Sequence, residues 1–198
     1  VGTVFKGTKV KIADDGEILV SGENMMNGYW NDPKSTSSTL INGWIHTGDI
    51  GALDDNGYLK ITDRKKDIIV NAGGDNISPS RIEEKLNIEQ EISQSMMYGD
   101  YKNYLVAIIV PDREFAKKWA EDNKKEFSIK ELIKDEAFIK VIKQTTEKVN
   151  KQLSIIEQIR KFLLIDKEFT IENEMMTPTM KVRRFMVQLN YKNELEEL

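Results

Sequence analysis

The chain has 198 residues, with 29 Lys and Arg against 33 Asp and Glu, one His and no Cys. Its net charge of −4 speaks against a dedicated nucleic-acid binder, and the missing cysteines exclude disulfides, thiolate metal sites and a Cys nucleophile. The longest apolar run, Tyr104 to Val110, is too short to span a bilayer; with no basic-then-apolar leader, a soluble, cytoplasmic globular piece is expected. The first third reads as β-structure. Val10 and Ile12 alternate with lysines, Asp14-Asp15-Gly16 turns the chain, and Ile18 and Val20 alternate again. A second hairpin is predicted from Ile50–Leu53 through Asp54-Asp55-Asn56-Gly57 to Tyr58–Ile61, with Asn56-Gly57 as a type I′ pair. The Ser- and Thr-rich stretch 31–39 between them is expected to be a surface loop.

Five consecutive charges, Asp63-Arg64-Lys65-Lys66-Asp67, then interrupt the apolar pattern, and strands and helices begin to alternate. Ile68–Val70 reads as a short strand and 71–76 as a loop. Ser78 or Ser80 is expected to cap a helix with Pro79 in its first turn, Glu83 and Glu84 favouring its N-terminus, and Ile82 and Leu86 on its apolar face. Met96–Met97 and Leu105–Val110 read as neighbouring strands. Phe115 and Trp119 mark a helix ending near Asn123, and Phe138, Ile142, Thr146, Val149 and Leu153 trace another. Phe162–Ile165 is a further strand; Val182, Phe185, Met186 and Leu189 define a closing helix. The fold class is α+β: a β-rich piece, a charged joint, then a small mixed α/β domain.

Four constellations could carry chemistry. Asp49, after Thr47-Gly48, could accept hydrogen bonds from a vicinal diol, although an Asp capping a turn is the simpler reading, and His46 reads as a core or surface histidine. Arg64 offers a planar fork for phosphate or ribose oxygens, while Lys65 and Lys66 fit a solvated linker. Gly73-Gly74 before a helix start allows close approach of a ligand, but matches neither a phosphate-binding loop nor a dinucleotide fingerprint. Lys181, Arg183 and Arg184 stand at the mouth of the closing helix, against its dipole, a conflict that an approaching anion would relieve. None of the four decides a function by itself.

In order along the chain they resemble the C-terminal part of the adenylate-forming, AMP-binding superfamily of acyl-CoA synthetases, luciferases and peptide-synthetase adenylation domains. Gly16-Glu17-Ile18 through Gly22 and Gly28-Tyr29, then Gly43-Trp44 with Thr47-Gly48-Asp49, are similar to two of its motifs. Gly57-Tyr58 with Asp63–Asp67 resembles its hinge, and Pro178 with Lys181 the segment of its catalytic lysine. Lys66–Val70 followed by Ala72–Ile77, and Phe169–Asn173 leading into Thr177–Lys181, look most like long-chain fatty acyl-CoA synthetases; relatives acting on other acids usually carry a Ser-Gly-Lys form of the last motif. The stretch 122–157 resembles an insertion those relatives lack. Asp75 stands where relatives often have Lys or Glu and is assigned no role, and Asn42 stands where Asp is common.

The resemblance implies a fragment: residues 1–66 as the last β-subdomain of the large AMP-binding domain, and 67–198 as the mobile C-terminal domain. The family's phosphate loop, adenine segment and acyl tunnel lie upstream. It implies ATP with Mg2+, a fatty acid and CoA as substrates. Lys181 is then catalytic, Asp49 and Arg64 bind the nucleotide, Lys66 is the hinge, and Gly73 and Gly74 flank the pantetheine channel. No metal ligand is assigned within the chain. The fragment alone is expected to be inactive. Alternatives are an acyl-AMP or aryl-acid ligase and a non-catalytic binding module of the same fold. A fatty substrate is compatible with peripheral membrane contact; acyl-chain length and oligomeric state are left open.

Overall fold

The computed structural model describes residues 1–198, which divide into two compact units, Val1–Ile68 and Ile69–Leu198. In the first, β1 (Gly2–Thr3), β2 (Thr8–Ile12), β3 (Glu17–Gly22), helix α1 (Pro33–Thr39), β4 (Leu40–Ile41), β5 (Trp44–Leu53) and β6 (Tyr58–Arg64) follow in order. The strands form one sheet, β1-β6-β5-β3-β2, with β4 also on β5. Every pairing is antiparallel. Its only buried apolar side chains are Ile18 and Leu19, so the sheet has little core of its own.

The Ser/Thr stretch expected as loop contains α1. Asp32 caps it by accepting from the Ser35 amide at 2.9 Å, and Pro33 supplies a preset first-turn φ. The hydroxyls of Thr36, Ser37 and Ser38 bond back to carbonyls three or four residues earlier, which keeps them from unravelling the turn. The type I′ turn also sits elsewhere. Asn42 and Gly43, the two residues between paired Ile41 and Trp44, have φ of 51° and 77°, as that turn requires. At 54–57 only Gly57 is left-handed. There the Asp54 carboxylate accepts from the amides of Asn56 and Tyr58 and favours a longer turn.

The second unit runs β7 (Ile69–Val70), β8 (Asn76–Ile77), α2 (Pro79–Asn87), β9 (Ile92–Tyr98), β10 (Leu105–Pro111), α3 (Arg113–Asp122), α4 (Ile129–Leu132), α5 (Glu136–Asn150), β11 (Ile159–Leu164), α6 (Arg184–Asn190) and α7 (Lys192–Glu196). Central β10 pairs antiparallel with β9 and parallel with β11. It is buried along its whole length, and its alternation divides two cores. Leu105, Ala107 and Ile109 face Ile82, Leu86, Phe138, Ile142 and Val149; Val106, Ile108 and Val110 face Phe169, Met175, Met176, Val187 and Leu195. Helix α5, inside the stretch read as an insertion, is thus part of the core, with Phe138 edge-on to Trp119 at 5.1 Å between centroids. Asp112 and Asp135 cap α3 and α5 through their carboxylates. No helix of the structure is long and apolar enough to cross a membrane.

The closing helix departs from its expected face. Its buried residue is Val187, while Phe185 is 72% and Leu189 58% exposed. The reason lies at its first residue, where Arg184 forks onto Glu83 and fixes the rotation of α6.

Candidate functional site

In the first unit the sequence motifs converge on Glu17. Register slips between β3 and β5 around Thr47–Asp49, where Gly48 has a φ of 70°, and this bulge aims the Gly48 amide at Glu17 Oε1, 2.9 Å away. Glu17 Oε2 lies 3.0 Å from His46 Nδ1 and 2.9 Å from Lys65 Nζ, which also reaches Asp15 at 2.6 Å. Burial pushes the Glu17 carboxyl up, but the bonds from Lys65, Gly48 and His46 together hold it below the ordinary range. Hydrogen bonding to Asp15 and then Glu17 raises the Lys65 pKa. Lys65 is therefore not the solvated linker residue that composition suggested, and Glu17 was missed as a hub because its partners lie far along the chain.

Asp49 lies within β5 rather than capping a turn before it, and register places it opposite Arg64 on β6. Arg64 Nε meets Asp49 Oδ1 at 2.9 Å on the accessible surface, with 54% of the arginine and 23% of the aspartate side chain exposed. The structure thus brings these two candidates together as a carboxylate–guanidinium pair, a surface able to meet hydroxyls and phosphate oxygens. The Thr47 hydroxyl donates to the Ile18 carbonyl and accepts from the Asp49 amide, which fixes the strand at that point. Lys66 is exposed in a single 3₁₀ turn, Lys65–Asp67. On its far side Val70 is held by the Asp100 carboxylate and by the Tyr101 amide.

Gly73 and Gly74 fall in a turn, 71–75, in which the Asn71 amide donates to the Asp75 carbonyl and the Gly74 amide to the Asn71 carbonyl. Asn71 and Asp75 also exchange side-chain bonds at 2.9 Å. The two glycines differ. Gly74 has a φ of 85°, so the turn itself requires it. Gly73 lies outside the left-handed region, and an added Cβ would meet only side-chain atoms of Asn71 and Asp75, at 3.3 and 3.4 Å. The backbone therefore does not demand a glycine at 73, and a methyl there fits once the Asn71 side chain gives by a few tenths of an ångström.

Lys181 closes another turn of the same kind. The Thr177 amide donates to the Lys181 carbonyl at 2.8 Å and the Met180 amide to the Thr177 carbonyl at 2.9 Å. Ala13–Glu17 and Asp54–Tyr58 repeat this bonding. Its fourth residue is left-handed in all four turns: Gly16, Gly57, Gly74 and, with no glycine, Met180 at φ 60°. The lysine follows directly, exposed, its amide bound to the Thr177 hydroxyl. Val182 bridges back to Met176, and the Arg183 amide donates to the Met175 carbonyl. The conflict of Arg184 with the dipole of α6 is met from inside the unit. Its two terminal nitrogens donate to the two oxygens of Glu83 at 2.6 Å each. Glu83 is thus committed to Arg184 and to the Met97 amide, not to the N-terminus of its own helix. No group of three or more His, Asp or Glu is placed to hold a metal.

Comparison with known proteins bears on this geometry. The family of AMP-binding enzyme C-terminal domains matches residues 66–198. A long-chain-fatty-acid–CoA ligase of Mycobacterium tuberculosis, FadD15, is 39% identical over 203 residues, covering 100% of this chain and 34% of the relative. Long-chain-fatty-acid–CoA ligase 1 of Homo sapiens is 36% identical over 188 residues, covering 93% of this chain and 27% of the relative. Among solved structures, the adenylation domain of a carboxylate reductase from Mycobacterium chelonae superposes with a TM-score of 0.81 at 23% identity, over 99% of this chain and 32% of that one. The didomain of a carboxylic acid reductase from Segniliparus rugosus, in complex with AMP, gives 0.79 at 22% identity over 99% and 28%. The chain spans about a third of the length of the curated relatives it matches. With the family match running through the whole second unit and the Lys181 turn it presents, the chain belongs to the AMP-binding enzymes and carries their C-terminal domain at residues 66–198.

Proposed function

We propose that the chain is the C-terminal part of a long-chain fatty acid–CoA ligase. The observation that carries this reading is the exposed Lys181, held by a strained turn at the entrance to α6, in a chain similar to such ligases over its whole length. Residues 1–66 serve as the last β-subdomain of the large domain, a role supported by a sheet with only two buried apolar side chains. Residues 67–198 form the mobile C-terminal domain, pivoting at Lys66.

In the first half-reaction a fatty carboxylate oxygen attacks the α-phosphorus of Mg-ATP, and pyrophosphate leaves with the P–O electron pair. Two anions must approach, so fixed positive charge dominates the chemistry. Unit charges ~4 Å apart at an effective dielectric of ~20 interact by about 4 kcal/mol. Lys181 supplies that charge as an electrostatic clamp rather than as a base. Asp49 accepts from the ribose hydroxyls, and Arg64 contributes its remaining donors to the ribose or phosphate side. In the second half-reaction the CoA sulfur attacks the acyl carbon, AMP departs with the C–O electron pair, and the thiol proton is released. Gly73 leaves room for the pantetheine arm at this step.

The test is fatty-acid-dependent pyrophosphate release by the full-length ligase and its Lys181→Ala variant, with and without CoA. Release is expected to fall roughly 10²–10³-fold in the variant, with thioester formed only when CoA is present. An unimpaired variant would overturn the role of Lys181, and acyl transfer without CoA dependence would favour an acyl-AMP ligase. The 198-residue chain alone is expected to release no pyrophosphate.

A further inference from the structure

Glu83 is buried, yet its carboxyl meets three donors from two other elements: both terminal nitrogens of Arg184 on α6 and the Met97 amide of β9. A buried ion pair is weak evidence for stability, because desolvation offsets its attraction; its best-attested benefit is register. Nor does the arginine serve its own helix, since a cation at the first position opposes the dipole. What the fork does is fix where α6 begins. Arg184 lies three residues after Lys181, and the intervening chain is tied by the Arg183 amide on the Met175 carbonyl and by Val182 packed against the core. Met175 and Met176 anchor the near side of the turn in the core.

We propose that Glu83, acting through Arg184, is a positioning residue for Lys181: the fork sets where the ammonium stands during adenylate formation. This rests on the reading of Lys181 as the clamp. A misplacement of about 1 Å costs roughly 10²-fold in a reaction that depends on alignment, so a loosened fork should slow the step that uses Lys181 and leave the other intact. A planar guanidinium is needed, because an ammonium cannot meet both carboxylate oxygens in parallel.

The experiment measures both half-reactions in the full-length ligase: pyrophosphate release from ATP and fatty acid, and thioester formation from supplied acyl-adenylate and CoA. The double variant Glu83→Gln with Arg184→Met keeps an acceptor for the Met97 amide and removes both charges together. Arg184→Lys retains charge without the fork, and Lys181→Ala is the reference. We expect the double variant and Arg184→Lys to lower kcat for pyrophosphate release at least tenfold, with little change in KM for ATP. Thioester formation should stay within about twofold, since misplacement penalises only the aligned step. Parallel loss in both half-reactions would mean a merely structural pair, and no loss in either would mean the turn holds its place without it; each overturns the proposal. Should the double variant fail to fold, Arg184→Lys is read by the same criteria. If Lys181→Ala is itself unimpaired, the clamp reading fails and this inference with it. If only Lys181→Ala is impaired, the inference alone fails.

Discussion

Met180→Gly tests whether the turn before the candidate lysine stores backbone strain. Four turns in the chain share one bonding pattern, and the left-handed position is glycine in three of them. An L-residue there costs about 1–2 kcal/mol. Replacing it with glycine recovers that amount and adds about 0.5–1 kcal/mol of unfolded-state entropy. Met180 is 65% exposed, so little packing is lost, and the net expectation is a stabilisation of roughly 0–1.5 kcal/mol. With a urea m-value of about 2 kcal/mol/M, the middle of that range raises the unfolding midpoint by about 0.4 M. The assay is equilibrium urea unfolding of the 198-residue chain, with the signal of Trp119 against Phe138 reporting the second unit. Gly74→Ala, in the same unit as Met180, provides the reverse comparison. An added Cβ there meets nothing within 4 Å, so it should lose about what Met180→Gly gains. On the proposed function, Met180→Gly in the full-length protein should also slow pyrophosphate release, the usual exchange of activity for stability at a strained site. A loss of more than about 1 kcal/mol on Met180→Gly would refute the strain account.

Two further expectations concern other parts of the chain. Lys65→Ala should destabilise the first unit by about 1–2 kcal/mol, a figure kept small because the ammonium is nearly half exposed. Since the Glu17 carboxyl is depressed in the folded state, its stabilising contribution is present above the unfolded value and is lost as pH falls through the folded one. Removing Lys65 raises the folded value, so acid unfolding followed by circular dichroism should begin at a higher pH; an unmoved transition would count against the network. Gly73→Ala should leave urea stability within about 0.5 kcal/mol, because the turn does not need a glycine there. On the proposed role it should nonetheless slow thioester formation from acyl-adenylate and CoA while sparing adenylation, and equal effects on both would rule out the proposed place of Gly73 beside the pantetheine arm.

Periodicity made the framework legible wherever burial follows local spacing. Leu105–Val110 reads as a strand buried on both faces, and the stripe from Phe138 to Val149 as one helix face, because each meets a continuous core. It failed where a distant partner decides. The face of α6 is set by a carboxylate 101 residues away in sequence, which no helical period encodes. The Glu17 hub gathers partners 29, 31 and 48 residues distant. Three Asn-Gly pairs look alike as dipeptides, yet only Asn42-Gly43, with strand partners immediately on either side, is left-handed at both residues and takes the type I′ form, while the Asp54 carboxylate redirects Asn56-Gly57. The candidate site residues are readable only through the order of their motifs; taken singly, none of Asp49, Gly73 and Lys181 decides a function.

The anchoring of Lys65 has a mechanical consequence for the proposed pivot. Its ammonium is fastened to Asp15 and Glu17, and beyond it Ile69 is already paired with Ile77. Only Lys66, Asp67 and Ile68 lie between, and three residues have about six soft torsions. With sterics confining each residue to a few wells, a pivot at such a joint would act as a detent with discrete stops rather than as a free swivel. Any reorientation would then proceed as a jump between a small number of dwell positions. Single-molecule distance traces across residue 66 should resolve separate levels, and lengthening the joint with glycines should blur those levels into a continuum.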